Sequence, residues 1–143
     1  MKKDLYGDQI LEWAERSEHM GAVENPDYEA TATNPLCGDR VTVQVRMEGN
    51  LIKVLCCRVR GCLLCKASCA LLAHMAGDLD RADLKDLRDR FEQFLRANDD
   101  TMVLPTHHMF SPVRSHKSRY RCVLLPYDAA LKALGDSDKS PHR

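Results

Sequence analysis

Charge of one sign and long apolar runs are both missing from this chain. Lys+Arg and Asp+Glu are each 21, so the formal net charge is zero. That balance gives no reason to expect nucleic acid or an anionic membrane surface as a partner. No stretch approaches the ~18 apolar residues that a membrane helix needs. Met1-Lys2-Lys3 runs straight into Asp4-Leu5 without an apolar segment, so no secretory signal is expected. A zinc ribbon would need a second C-x-x-C, and the chain has none. No local pattern supplies the oriented histidine that a cysteine protease requires, and there is no internal repeat.

Cysteine is what the chain does have. There are seven, an odd number, and no secretory context accompanies them. Many free thiols point to metal or sulfur chemistry in the cytoplasm more than to a disulfide framework. A hydrophobic content of 44% is enough for a core without disulfide staples. Residues 1–143 are expected to make one domain, with 136–143 as a flexible tail.

The coarse organisation reads as follows. Leu5 to Met20 predicts a first helix, with Leu5, Tyr6, Ile10, Trp13 and Ala14 at helical spacing. Glu24 to Pro35 reads as extended or looped. Val41, Val43, Val45 and Met47 alternate with polar residues and form the clearest strand. Glu48-Gly49-Asn50 turns the chain into a second β-prone run, Leu51 to Val59, giving an antiparallel hairpin. Leu63 to Ala76 reads as a buried helix ending at Gly77. Ala82 to about Ala97 reads as another, with a Leu84, Leu87, Phe91, Leu95 stripe and Asp80 or Asp83 as cap. Asn98 to Pro112 reads as an irregular linker. Tyr120 to Leu125 is short and apolar, and Pro126 suits the first turn of a last helix from Tyr127 to Leu134.

Three places gather metal chemistry: Cys37-Gly38-Asp39, Gly61-Cys62, and Arg119-Tyr120-Arg121-Cys122. Three thiolates and a carboxylate make a four-donor site for zinc, and thiolates also hold iron–sulfur clusters. The hairpin would carry Asp39 close to Gly61 and Cys62. Each position also has a plainer reading. Cys37 and Asp39 could be an incidental thiol and a cap in a surface turn. Cys62 could be an inert core thiol, although the mouth of a helix favours its thiolate. Cys122 could be one buried thiol beside a solvated basic run.

Cys65 and Cys69 follow Cys62 on roughly one helix face. Cys69 reads as core. Cys65, one turn on, is an extra candidate, a spare ligand or a sulfur relay. The order Cys62-x-x-Cys65-x-x-x-Cys69 reverses the C-x3-C-x2-C of radical enzymes and falls on a helix. Cys56 and Cys57 are adjacent in a strand and point to opposite faces. His107-His108 reads as a surface loop, as do His19, His74 and His142.

Taken together, Asn34-Pro35-Leu36-Cys37-Gly38-Asp39, then Gly61-Cys62 with Ala67-Ser68, then Arg119-x-Arg121-Cys122-x-Leu124-Leu125, resemble the U-type iron–sulfur cluster assembly proteins. This is the group of IscU, SufU and the N-terminal part of NifU, and the resemblance runs from Leu5 to Leu134. The chain looks more like the SufU branch. Arg121 stands where IscU-type members place a histidine, and 59 residues lie between Cys62 and Cys122. Val113-Arg114 and Arg119 also match that branch, and the proline-rich chaperone-recognition motif is missing before Cys122.

The resemblance implies an α+β fold of the SufE/NifU type: a small antiparallel sheet, about three strands, covered by helices. It maps the family's ligands onto Cys37, Asp39, Cys62 and Cys122, holding Zn²⁺ or, in the alternative, iron or a [2Fe–2S] cluster. The expected function is iron–sulfur cluster biogenesis. Persulfide sulfur from a SufS-like cysteine desulfurase would be accepted at Cys37, with Cys122 as second candidate and Arg119 as auxiliary. The product would pass to a downstream scaffold or apo-protein, with no nucleic acid and no membrane involved. Such a protein is at most a zinc-dependent sulfurtransferase partner of the desulfurase. The alternatives are a scaffold for a nascent [2Fe–2S] cluster and a zinc-stabilised adaptor without sulfur chemistry.

Overall fold

A computed structural model of the chain describes residues 7–36, 38–97, 101 and 104–135. Cys37 and the tail at 136–143 lie outside the described residues. The first helix, α1, covers Asp8–Glu18 and buries Ile10, Ala14 and Ser17, a helical stripe. Its expected start at Leu5 and Tyr6 is also outside the described residues. It stops before Met20 because the His19 and Met20 N–H groups close back on Arg16 and Ser17 carbonyls.

Three strands follow: β1 (Tyr28–Asn34), β2 (Asp39–Glu48) and β3 (Leu51–Arg60), antiparallel in the order β1-β2-β3. β1 falls in the stretch read as extended or looped. Its Tyr-Glu-Ala-Thr-Ala-Thr-Asn run lies at the sheet edge and buries only Asn34, so hydrophobic alternation never marked it. The β2–β3 turn is Gly49-Asn50, and Gly49 takes φ +64°, a conformation that favours glycine. Val41, Val43 and Val45 are fully buried on one sheet face. On the other face Thr31 and Thr42 hydroxyls meet at 2.8 Å.

Helix α2 (Leu63–Met75) packs on the sheet at β3, and α4 (Tyr120–Leu134) packs on β1 and β2. α1 flanks α2, and α3 (Arg81–Ala97) flanks α4. This is the expected α+β arrangement, a small antiparallel sheet covered by helices. α3 opens on a reciprocal cap: the Asp83 N–H donates to Asp80 Oδ1 at 2.8 Å, and the Asp80 N–H to Asp83 Oδ2 at 3.1 Å. Among the described residues, no helix is long and apolar enough to cross a membrane.

Two expectations fail in the C-terminal third. The last helix does not start at Pro126. It runs from Tyr120, with Pro126 inside it. Proline there removes one helical hydrogen bond and crowds the preceding turn. Tertiary contacts hold the turn together: the Val123 carbonyl accepts the buried Ser68 hydroxyl at 2.5 Å, and residues 122–127 are all buried. Cys122 therefore sits in the first turn of a helix.

The second correction concerns His107, read as surface and found fully buried. Pro105–Ser115 winds as 3₁₀ turns that bury His107, Phe110 and Val113, every third residue. The His107 ring meets Phe91 edge-on at 4.6 Å, and its Nε2 lies 2.8 Å from the Tyr127 hydroxyl. Burial, with His108 adding a little, holds its pKa down at about 4. His19, His74 and His108 are exposed, and His142 lies outside the described residues.

Candidate metal and thiol centre

Asp39 opens β2. It pairs with Asn34 at the end of β1, and the next residue, Arg40, pairs with Arg60 at the end of β3. Register alone therefore puts the Asp39 side chain at the β3–α2 junction. The turn before it is set by Asn34: its side-chain oxygen accepts the Leu36 N–H at 3.2 Å, and its carbonyl accepts the Gly38 N–H at 2.8 Å. Gly38 has φ +78°, which a side chain would strain.

Gly61 fits the junction for a different reason. A Cβ there would sit 2.5 Å from Asp39 Oδ1 and 2.8 Å from its Cγ. Only a residue without a side chain lets the carboxylate lie over the backbone. With that space open, Asp39 Oδ1 accepts the Cys62 N–H at 3.1 Å, and its Oδ2 lies 3.7 Å from Cys62 Sγ. Cys62 is the N-cap of α2, extended at φ −75°, ψ 169°. Asp39 thus satisfies a backbone donor at the start of α2.

Cys122 reaches the same point from α4. One donor atom each from Asp39, Cys62 and Cys122 lies within 4.8 Å of the others. Asp39 and Cys122 are buried, whereas Cys62 is partly exposed. The Cys62 thiol is held down at about 6, chiefly by a hydrogen bond from the Cys122 thiol. Backbone N–H groups of Cys65 and Leu64 add to this, while burial and the Asp39 charge oppose it. The shift favours the Cys62 thiolate, the form that binds metals and attacks sulfur.

The donor set fits a thiophilic metal. Two thiolates on a tetrahedral zinc at about 2.3 Å each stand roughly 3.8 Å apart, and the three donor atoms lie within 4.8 Å of one another, so a bound ion would draw them inward. The structure brings together three of the four residues expected at the site, Asp39, Cys62 and Cys122. The fourth, Cys37, lies outside the described residues, two positions from Asp39 in sequence. Arg119 immediately precedes α4 and is half-buried.

The remaining thiols divide cleanly. Cys57 and Cys56 alternate across the sheet, Cys57 buried and Cys56 partly exposed. Cys69 is fully buried against the Cys57 and Cys65 thiols, and burial pushes its pKa well up. Cys65 is also fully buried, directly behind Cys62 on α2. The sequence reading assigned no structural cause to Gly61 and no role to Ser68 or Tyr127. Gly61 stood in a quoted motif, but the close approach that explains it is a tertiary fact.

A three-stranded antiparallel sheet covered by helices, with Asp/Cys/Cys donors meeting at the strand–helix junction, defines a small α+β domain with a thiol-and-carboxylate centre. The profile of the NifU-like N-terminal domain matches residues 5–123. The chain belongs to the NifU-like N-terminal domain family. It is 23% identical over 133 residues to the "Iron-sulfur cluster assembly scaffold protein IscU" of Thermotoga maritima, covering 92% of this chain and 94% of that one. It is 20% identical over 136 residues to the "Zinc-dependent sulfurtransferase SufU" of Bacillus subtilis, covering 94% and 92%. Among solved structures it is similar to a NifU-like N-terminal protein from Brucella abortus, with 29% identity and a TM-score of 0.79 over 90% of this chain and 91% of that one.

Proposed function

We propose that this protein acts in iron–sulfur cluster biogenesis by accepting persulfide sulfur from a cysteine desulfurase at a site built from Cys37, Asp39, Cys62 and Cys122. One observation carries the reading: donors from β2, the α2 N-terminus and α4 converge within 4.8 Å. A Zn²⁺ bound there would keep the thiols deprotonated.

The chain's own residues do the rest. Asp39 holds the Cys62 backbone and supplies an oxygen donor without a competing thiol. The Cys122 thiol and the α2 N–H groups favour the Cys62 thiolate. Cys37 is the first persulfide acceptor in this reading, from its place in the Asn34–Asp39 turn, and Cys122 is the second. Arg119 supplies positive charge beside α4. Leu36 is 82% exposed and Leu63 is 38% exposed, so apolar side chains flank the thiols where a desulfurase would dock.

A second reading keeps the chemistry and changes the cargo: the same residues hold a nascent [2Fe–2S] cluster and pass it to an apo-protein. The scaffold names of the IscU relatives favour it. Metal analysis and visible absorption after anaerobic purification separate the two. Stoichiometric zinc with stimulated desulfurase turnover supports sulfur transfer. A coloured protein that passes its cluster to an apo-acceptor supports the scaffold. Cys37→Ser that leaves desulfurase turnover unchanged removes the transfer role.

A further inference from the structure

The sheet has a second face, turned away from α2 and α4. Side chains alternate across a strand. With Val41, Val43 and Val45 buried under the helices, Arg40, Thr42, Gln44 and Arg46 point to the open side. β3 adds Val54, Cys56, Arg58 and Arg60 there, and β1 adds Glu29, Thr31 and Thr33. The segment before β1 crosses one end of this face. Gln44 Oε1 accepts the Val23 N–H at 3.0 Å, and Arg46 donates to the Glu24 carbonyl at 2.9 Å. At the other end Thr33, Arg40, Arg58 and Arg60 are all exposed. Arg40 and Arg60 are direct cross-strand partners, and Arg58 opposes Thr42 beside them. Opposed residues have Cβ atoms about 4.5–5.5 Å apart and diagonal ones about 7–8 Å, so three guanidinium groups share one patch. Like charges directly opposite each other destabilise a sheet. On α3 such charges are neutralised: Lys85 pairs with Asp89, Arg88 with Glu92 and Asp128, Arg90 with Asp86, and Arg96 with Glu92. Among the described residues, no ion pair or side-chain hydrogen bond engages Arg40, Arg58 or Arg60. The nearby acids are taken: Glu29 accepts from Gln44 Nε2, and Asp39 is buried against Cys62. Arg40 follows Asp39 directly, and Arg60 precedes Gly61-Cys62, so the patch backs onto the thiol centre.

We propose that this patch is the docking surface for an acidic protein partner, whose Asp and Glu carboxylates seat on Arg40, Arg58 and Arg60 and hold the partner at the edge of the thiol centre. The partner's task rests on the sulfur-transfer reading above; the contact itself does not. Charge complementarity carries the choice of occupant. A guanidinium fork holds a carboxylate in two parallel N–H···O bonds, and the acids that would fill this role within the chain are engaged elsewhere. Nucleic acid is a poorer fit. Among the described residues, the open face carries no aromatic side chain on which bases could stack. Three arginines are also fewer than the about 6–10 phosphate contacts of a strong duplex binder. An anionic membrane calls for about 4–8 clustered basic residues. The neutral threonines around the arginines suit a compact carboxylate cluster, and the exposed side chains need no rearrangement to meet it.

The test uses the full chain and a fluorescein-labelled hexaglutamate peptide, read by fluorescence anisotropy. Saturable binding is expected at about 0.05 M NaCl, weakening as salt is raised to about 0.3 M. The triple variant Arg40→Gln, Arg58→Gln, Arg60→Gln should bind about tenfold more weakly. The control triple variant Lys85→Gln, Arg90→Gln, Arg96→Gln has the same net charge and should bind as wild type. One arm needs no variant: in the wild-type protein, backbone amide resonances at 40–42 and 58–60 should shift on titration, and those of α3 should not. Equal binding by the two triple variants, or shifts confined to other elements, overturns the proposal. Tighter binding of hexathymidylate, or of vesicles containing phosphatidylserine, than of hexaglutamate also overturns it. A last arm adds a SufS-like desulfurase with free cysteine. A sheet variant that loses the peptide yet stimulates turnover as wild type does supports the patch and assigns the acidic surface to a different partner. Wild type that binds the peptide without stimulating turnover supports the patch and refutes the sulfur-transfer reading.

Discussion

The Asp39 carboxylate accepts the Cys62 backbone N–H at 3.1 Å, across 23 positions of sequence. This contact ties the start of β2 to the start of α2. It puts an oxygen donor and a thiolate beside each other before any metal arrives. The Asp39 side chain therefore has two separable roles, helix cap and donor.

Those roles come apart in a pair of variants. Asp39→Asn keeps an oxygen to cap Cys62 and loses the charge, whereas Asp39→Ala loses both. Asp39→Ala is expected to cost about 1–2 kcal/mol more than Asp39→Asn, the typical value of a lost helix cap. Both should bind zinc more weakly than wild type. Urea melts and competition with a chromophoric chelator give the two readouts. Equal stability of the variants would deny the capping role.

Gly61→Ala tests the close approach. Its Cβ would stand 2.5 Å from Asp39 Oδ1, so the carboxylate must move. The expected outcome is a folded protein, destabilised by roughly 1–3 kcal/mol, with metal below stoichiometric. Thermal melts and elemental analysis decide it. Full metal content with an unchanged Tm would show that the carboxylate has room the geometry denies.

Cys69→Ala should behave as a core truncation. The side chain is fully buried among other thiols, so about 1 kcal/mol of stability should be lost with metal content unchanged. Loss of metal at a native Tm would move Cys69 into the site.

His107 makes stability fall on acidification. Its pKa is about 4 in the fold against an ordinary value of 6.5. The unfolded chain therefore binds a proton first, and the neutral ring's full benefit is present above 6.5. It is lost as pH falls from 6.5 through 4, by up to about 3 kcal/mol. Tm measured across that window should drop more steeply in wild type than in His107→Gln, which does not titrate. Parallel curves would show that the ring accepts its proton without cost.

Much of this architecture could be read from the chain. Alternation at Val41, Val43 and Val45 marked β2, and the Glu48-Gly49-Asn50 turn marked the hairpin. That hairpin was enough to predict that Asp39 would meet Cys62. The misses share a cause: they depend on contacts between distant segments. β1 carries no apolar alternation because it is an edge strand of alanines and threonines. The buried repeat of His107, Phe110 and Val113 has a period of three, so neither a helical nor a strand template finds it. Pro126 marks a helix start by local rules, and buried partners such as Ser68 overrule them.

The central claim is that one metal is held by Cys37, Asp39, Cys62 and Cys122. X-ray absorption at the edge of the metal that copurifies with the full chain tests it most directly. The account predicts three sulfur neighbours and one oxygen, and loss of the metal in both Cys62→Ser and Cys122→Ser. A histidine nitrogen shell, or metal retained at full occupancy without those two thiols, would contradict it.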